Sequence, residues 1–200
     1  MDDVSQPSYW SAIYQANDAG WDKGCCAPPI ARLLGEGFLP KGAELAVVGC
    51  GRGHEAFEAA RLGFRVTAID FAPEAVAAVK ASAASQGLEL TAVEADVFDM
   101  ASLWPQGFDA IVEHTCLCAI DPSRRTEYMH AVAGALKPNG LLLGLFYAHD
   151  RPDGPPYKID MDEAKAIFSP KFDFIRLCIA ADSFENRAGF ELEFIARRQP

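Results

Sequence analysis

The six cysteines of this chain, at 25, 26, 50, 116, 118 and 178, form neither a C-x-x-C pair nor any zinc spacing, so no metal site is expected. Long apolar runs are missing too: no stretch approaches eighteen consecutive apolar residues, and Met1 is followed by Asp2 and Asp3 rather than by a basic and then an apolar segment. A cytoplasmic protein with no membrane role is the expectation. Positive charge is scarce, with 18 Lys and Arg against 28 Asp and Glu and a formal net charge of −10. Phosphate contacts need clustered cations, so nucleic acid is disfavoured as a partner. Repeats and low-complexity segments are also lacking. What is present is a 50% hydrophobic composition over 200 residues, enough for one core and too little for two full domains.

The chain is organised around residues 44–70. Leu45 to Val48 is a short apolar run that reads as a buried parallel strand. Gly49-Cys50-Gly51-Arg52-Gly53 then forms a glycine loop, Glu55 to Leu62 reads as a helix, and Phe64 to Ile69 is a second apolar run ending on Asp70. A carboxylate at that strand end suits the two hydroxyls of a ribose. A dinucleotide fingerprint needs G-x-G-x-x-G, and its third glycine is here His54. The G-x-G-x-G pattern with Asp70 fits a compact nucleoside with an amino-acid tail, which is the layout of class I S-adenosylmethionine methyltransferases.

Ahead of this unit, Trp10, Ile13 and Tyr14 share one face of a helix over 8–17, and Trp21 follows in a turn. These aromatics either cap the sheet or, from their place before the first strand, fold over the cleft as a lid that excludes water. After it, Pro73 to Ala84 reads as a helix, and Leu88 to Ala95 as a third strand delivering Asp96 and Val97 toward an adenine. Phe98 to Gly107 is expected to be loop. The fourth strand, from Phe108, ends at Glu113, His114 and Thr115, where donor should meet acceptor because ligands bind beyond the carboxyl ends of the strands at a switch point. His114 is then a general base or a hydrogen-bonded wall residue. Arg124 to Leu136 is a helix, Leu141 to Tyr147 a fifth strand, 148–158 a loop at the site's edge, and 160–168 a helix. Residues 172–180 and 190–197 form a closing antiparallel hairpin. Cys50, Cys116, Cys118 and Cys178 read as small buried hydrophobes, whereas Cys25-Cys26, next to the Trp21 turn, is a soft-metal or redox candidate at the site.

Together these residues resemble the thiopurine, thiol and halide methyltransferases, and the resemblance covers nearly the whole chain. It is carried by Trp10, Tyr14 and Trp21, by Gly49-Cys50-Gly51-Arg52-Gly53-His54, and by Asp96-Val97-Phe98. Cys118-Ala119-Ile120-Asp121-Pro122 with Arg125, Leu136-Lys137-Pro138-Asn139-Gly140 and Gly154-Pro155-Pro156-Tyr157-Lys158 add to it. The resemblance implies a single domain over 1–200 with a lid segment at 1–37. It implies a Rossmann-like α/β fold whose seven-stranded, mostly parallel sheet has an antiparallel last strand and helices on both faces. It also implies that Trp10, Tyr14 and Trp21 cover the donor, that Gly49 and Gly51 cradle its methionine part, that Asp70 holds the ribose, that Asp96 and Val97 read the adenine, and that Tyr157 lines the acceptor pocket. His114 and Cys116 stand where plant members carry aromatics.

The expected activity is transfer of a methyl group from S-adenosylmethionine to a small thiol, hydrosulfide, thiocyanate or halide, without a metal. Glu113 is a candidate both for donor binding and, through a water, for deprotonating a thiol alongside His114. A carboxylate acceptor would want an arginine, and Arg124, Arg125 and Arg151 lie close in sequence. An O- or N-methyltransferase of a small metabolite and a non-catalytic sensor that binds the donor are the alternatives. The chain is expected to act as a monomer or weak homodimer.

Overall fold

The computed structural model describes residues 3–200; the start of the chain at Met1 and Asp2, read above as the opposite of a leader, lies outside them. Seven strands form one sheet in the order β3-β2-β1-β4-β5-β7-β6. In chain order the elements are α1 (Pro7–Gln15), α2 (Pro28–Gly35), β1 (Glu44–Val48), α3 (His54–Arg61), β2 (Arg65–Asp70), α4 (Pro73–Gln86) and β3 (Thr91–Glu94). They continue with α5 (Met100–Leu103), β4 (Phe108–His114), α6 (Arg125–Ala135), β5 (Leu136–Tyr147), α7 (Met161–Phe168), β6 (Phe172–Ile179) and β7 (Glu191–Arg198).

Local chemistry sets these boundaries. Pro7, Pro28 and Pro73 each open a helix, where a missing N–H costs nothing. Asp160 caps α7 by accepting a hydrogen bond from Glu163 N–H at 3.0 Å, and Gly87 ends α4 in the left-handed conformation. Third-strand pairing is shorter than the alternation over 88–95 suggested, and the segment after Asp96, expected as loop, holds a 3₁₀ turn and α5.

Period-two alternation divides the core. Leu45 and Val47 of β1 face the layer of α2, α3 and α4, while Ala46 and Val48 face the layer of α6 and α7. Helices therefore cover both faces, as an all but parallel sheet requires. β7 runs antiparallel to both β5 and β6, and Phe146 stacks on Phe194 with ring centroids 3.9 Å apart across that joint. Strand order reverses between β1 and β4, which both pair in parallel. Gly49 leaves β1 and Thr115 leaves β4 at the carboxyl ends of this pair, so a crevice opens there.

Candidate active site

A cavity of about 670 Å³ fills that crevice. At one end Asp70, the last residue of β2, is buried yet reaches the cavity. Its Oδ2 accepts from Gly51 N–H and its Oδ1 from Ala72 N–H, each at 2.9 Å. Each oxygen keeps a second lone-pair direction, which is what a vicinal diol requires. Burial pushes the Asp70 carboxyl up, and the two amides oppose the shift. Gly49 and Gly51 hold positive φ of 54° and 53°, and a Cβ on Gly49 would lie 2.8 Å from Cys116 Cβ. Only glycine leaves this cradle open. Asp96 and Val97 line the same end. Asp96 Oδ1 caps the following turn through Phe98 N–H at 3.0 Å, and the Arg124 guanidinium lies 3.5 Å from the Phe98 ring centre.

Helix α1 lies over the cavity and contains no buried residue. Trp10 and Tyr14 meet Trp21 edge to face at 5.5 and 5.9 Å. Ser11 and Gln15 each donate to Glu74 of α4 at 2.6 Å, and Asp22 takes Arg52 at 2.9 Å and His54 at 2.8 Å. The histidine that replaces the third glycine thus anchors the segment. Burial, and then Asp70, holds the Tyr14 phenol protonated well beyond its ordinary range.

At the other end β4 runs out through Thr115, a β-branched residue at φ 65°. Such a conformation costs on the order of 1–3 kcal/mol and is retained where the surroundings fix it, often at functional sites. His114 is buried in an ion cluster: Nδ1 is 2.9 Å from Glu55 Oε1, while Nε2 is 3.0 Å from Arg187 Nη1 and 3.7 Å from Glu191 Oε1. Arg187 also bonds Glu191 Oε1 at 3.1 Å and the Trp21 carbonyl at 2.9 Å. Burial by itself would lower the imidazole pKa, but Glu55 and Glu191 outweigh it and hold it up at about 9. With His114 protonated the two cations balance the two carboxylates. Its Nε2–H then points to Glu191, leaving the Arg187 contact a side-by-side arrangement of two donors over one carboxylate. Arg187 lines the cavity with Tyr147 and Arg151, and the Tyr147 ring centre lies 5.5 Å from the Arg187 guanidinium and 5.9 Å from that of Arg151.

Trp10, Tyr14, Trp21, Gly49, Asp70, Asp96 and Val97 therefore meet around one cavity, with Gly51 directly behind Asp70. Three expectations need correction. Glu113 is 1% exposed and spent on structure: Oε1 accepts from the N–H groups of Cys116 and Leu117, both at 3.0 Å, and Oε2 accepts from the Tyr128 hydroxyl. It shapes the turn after β4 and does not line the cavity. His114 is an ion-cluster cation, not a free base. The Tyr157 ring sits under Gly154 and its backbone N–H bonds Cys118 O at 2.6 Å, so Tyr147, Pro155 and Pro156 form the wall assigned to it.

Arg125, offered as an acceptor contact, is buried against Glu163 at 2.5 Å and the Tyr157 and Lys158 carbonyls at 3.2 and 2.8 Å. Cys178 is exposed rather than buried. Cys25 and Cys26 face a separate cavity of about 520 Å³, and among the described residues no group of three or more His, Cys, Asp or Glu is placed to hold a metal ion. Arg187, Tyr147, Glu55 and Glu191 were missed because they lie on separate elements and meet only after folding.

A switch-point crevice with a glycine cradle, a strand-end carboxylate and an aromatic cover defines a class I methyltransferase that takes its methyl group from S-adenosylmethionine. The chain belongs to the thiopurine S-methyltransferase family, whose family model matches residues 5–197. It is similar to thiocyanate methyltransferase 1 and to a probable thiol methyltransferase 2, both of Arabidopsis thaliana. Each is 30% identical over 164 residues, which span 80% of this chain and 71% of the relative. In fold it matches a Burkholderia thailandensis 1,6-didemethyltoxoflavin-N1-methyltransferase solved with S-adenosylhomocysteine. That match has a TM-score of 0.79 at 19% identity, covering 97% of this chain and 87% of the other. The cradle left open by Gly49 and the lone pairs remaining on Asp70 suit the donor's amino-acid and ribose parts.

Proposed function

We propose that the enzyme methylates a small, soft, anionic nucleophile held at the arginine end of the cavity: a thiolate, hydrosulfide, thiocyanate or halide. The observation that carries this reading is the pair of guanidiniums, Arg187 and Arg151, that line the cavity 5.5 and 5.9 Å from the Tyr147 ring centre, in a cavity also walled by aromatic and apolar side chains. The names of the two plant relatives support the same acceptor class.

S-adenosylmethionine supplies a methyl group made electrophilic by its sulfonium, and the acceptor's lone pair takes that methyl while the breaking bond's electrons return to the donor sulfur. Asp70 receives the ribose hydroxyls, Asp96 and Val97 read the adenine, and Gly49 and Gly51 admit the methionine part. Trp10, Tyr14 and Trp21 keep water out, so the acceptor loses its hydration and gains reactivity. A thiol of ordinary pKa near 8.5 is only a few per cent ionised at neutral pH. Arg187 favours its thiolate, and the proton leaves to water. His114, already protonated, takes no proton; together with Glu191 it positions Arg187. The thiols of the cavity wall do not compete as nucleophiles, because burial and then Glu113 push Cys118 up to about 12 and Cys116 far above its usual range. A formal charge of −10 supports a small acceptor over nucleic acid.

The test is a headspace gas-chromatography assay of purified protein with S-adenosylmethionine and, in parallel, iodide, thiocyanate, hydrosulfide and methanethiol. Methyl iodide or a methylated sulfur product above the no-enzyme control supports the reading. Silence on all four acceptors, with donor binding confirmed by calorimetry, defeats it. Light scattering on the same preparation checks the accompanying proposal of a monomer or weak homodimer.

A further inference from the structure

Arg151 sits where the cavity meets solvent, four residues beyond the end of β5, and it differs from the other arginines of the wall. Arg124 is held by Glu127 at 2.8 and 2.9 Å, and Arg187 by Glu191 at 3.1 Å. Among the described residues no carboxylate pairs with Arg151; its side chain makes one long contact, 3.5 Å from Nη2 to the Tyr147 hydroxyl. Its backbone is nevertheless fixed. His149, 2% exposed, accepts the Arg151 N–H at Nδ1 at 3.0 Å and donates from Nε2 to the Pro156 carbonyl at 2.9 Å. Those two bonds specify one neutral tautomer, and burial favours it by lowering the imidazole pKa. The loop that lines this part of the cavity is thereby cross-braced at its backbone, and among the described residues the guanidinium it carries has no counter-charge.

A guanidinium offers two parallel donors that match a carboxylate. The second cation, Arg187, is buried, and the Tyr147 ring centre lies 5.5 Å from its guanidinium and 5.9 Å from that of Arg151. An acceptor that engages both needs a nucleophilic anion at the inner cation, a second anion at the outer one, and a short apolar spacer along the tyrosine ring. Resting on the soft-nucleophile reading above, we propose that the physiological acceptor is a short aliphatic thiol bearing a carboxylate, with Arg151 taking the carboxylate while the sulfur faces Arg187. The thiol proton goes to water, the sulfur lone pair forms the new carbon–sulfur bond as the donor's methyl–sulfur bond breaks and its electron pair returns to the donor sulfur, and the product is an S-methyl thioether with its carboxylate unchanged.

The experiment compares kcat/KM for 3-mercaptopropionate, 2-mercaptoethanol and hydrosulfide in the wild type, Arg151→Gln and Arg151→Lys, at low and high salt. The first two thiols are of similar length and differ in the carboxylate. The wild type should prefer the acid by ~10-fold, mainly through KM, since a distal ion pair is made in ground and transition state alike. Arg151→Gln should bring the ratio close to one. Arg151→Lys should keep part of it, and salt should erode the wild-type preference because the pair lies at the solvent edge. A wild-type ratio near one, or a ratio that Arg151→Gln leaves unaltered, overturns the proposal. Methylation of hydrosulfide and 2-mercaptoethanol in that same experiment would leave the soft-nucleophile reading standing, whereas silence on all three thiols overturns the proposal made here and leaves that reading to iodide and thiocyanate.

Discussion

The two ends of the cavity are built by different means. The donor end comes from short contiguous stretches, 49–51, 70–72 and 96–98, whose own backbone amides occupy the carboxylates of Asp70 and Asp96. The acceptor end comes from side chains at 114, 147, 151, 187 and 191 that pair across distant elements. On the reading proposed above, donor recognition is tied to a loop conformation and acceptor recognition to an ion network. A change to the first should alter affinity with little effect on folding, while a change to the second should alter both.

The harshest test of that contrast is Arg187→Met. It leaves Glu191 buried beside an incomplete set of cations, and breaking a buried pair costs about 3–5 kcal/mol, read as a lower denaturation midpoint. Acceptor kcat/KM should fall by ~100-fold or more, since a charge-assisted contact is lost at the reacting anion. Asp70→Asn sharpens the other side: calorimetric affinity for S-adenosylmethionine should weaken by ~100-fold through loss of a charged acceptor, with a small change in melting temperature.

His114 gives a smaller, pH-dependent effect. Its folded pKa of about 9 lies above the ordinary imidazole value of about 6.5, so its contribution to stability is complete below pH 6.5 and is lost as pH rises through about 9. The melting temperature should decline across that window, and His114→Gln should flatten the decline; an unchanged slope would show that the cluster does not titrate as described. The smallest effect belongs to Glu74→Gln on the rim of the lid. Its contacts with Ser11 and Gln15 are solvent-facing, so donor affinity should drop by only ~2-fold.

The same contrast explains what could be read from the chain. Strand, glycine turn, helix and Asp70 follow one another within 27 residues, so periodicity and turn chemistry expose them, and the glycine loop with its strand-end carboxylate was legible. His114 and Glu113 were placed at the correct strand end, but their neighbours were not legible, because Glu55, Tyr128 and Glu191 come from other elements. Those neighbours turn one residue into a cation and the other into a turn brace. Proximity in sequence misled for Arg125, adjacent to Arg124 yet turned into the α6–α7 packing, and for Cys25-Cys26, near Trp21 yet facing another cavity. Arg187 carried no signal beyond a turn, since its value lies in the distance to Tyr147 and Trp21.

Helix α1 has no buried residue, and its Tyr9, Trp10, Ile13 and Tyr14 side chains line the cavity, with Trp21 as the aromatic neighbour of Trp10 and Tyr14. The molecule that fills the cavity is then the missing part of that helix's own packing. Donor binding should therefore cover α1, read as slower amide exchange over residues 7–15 when S-adenosylmethionine is present.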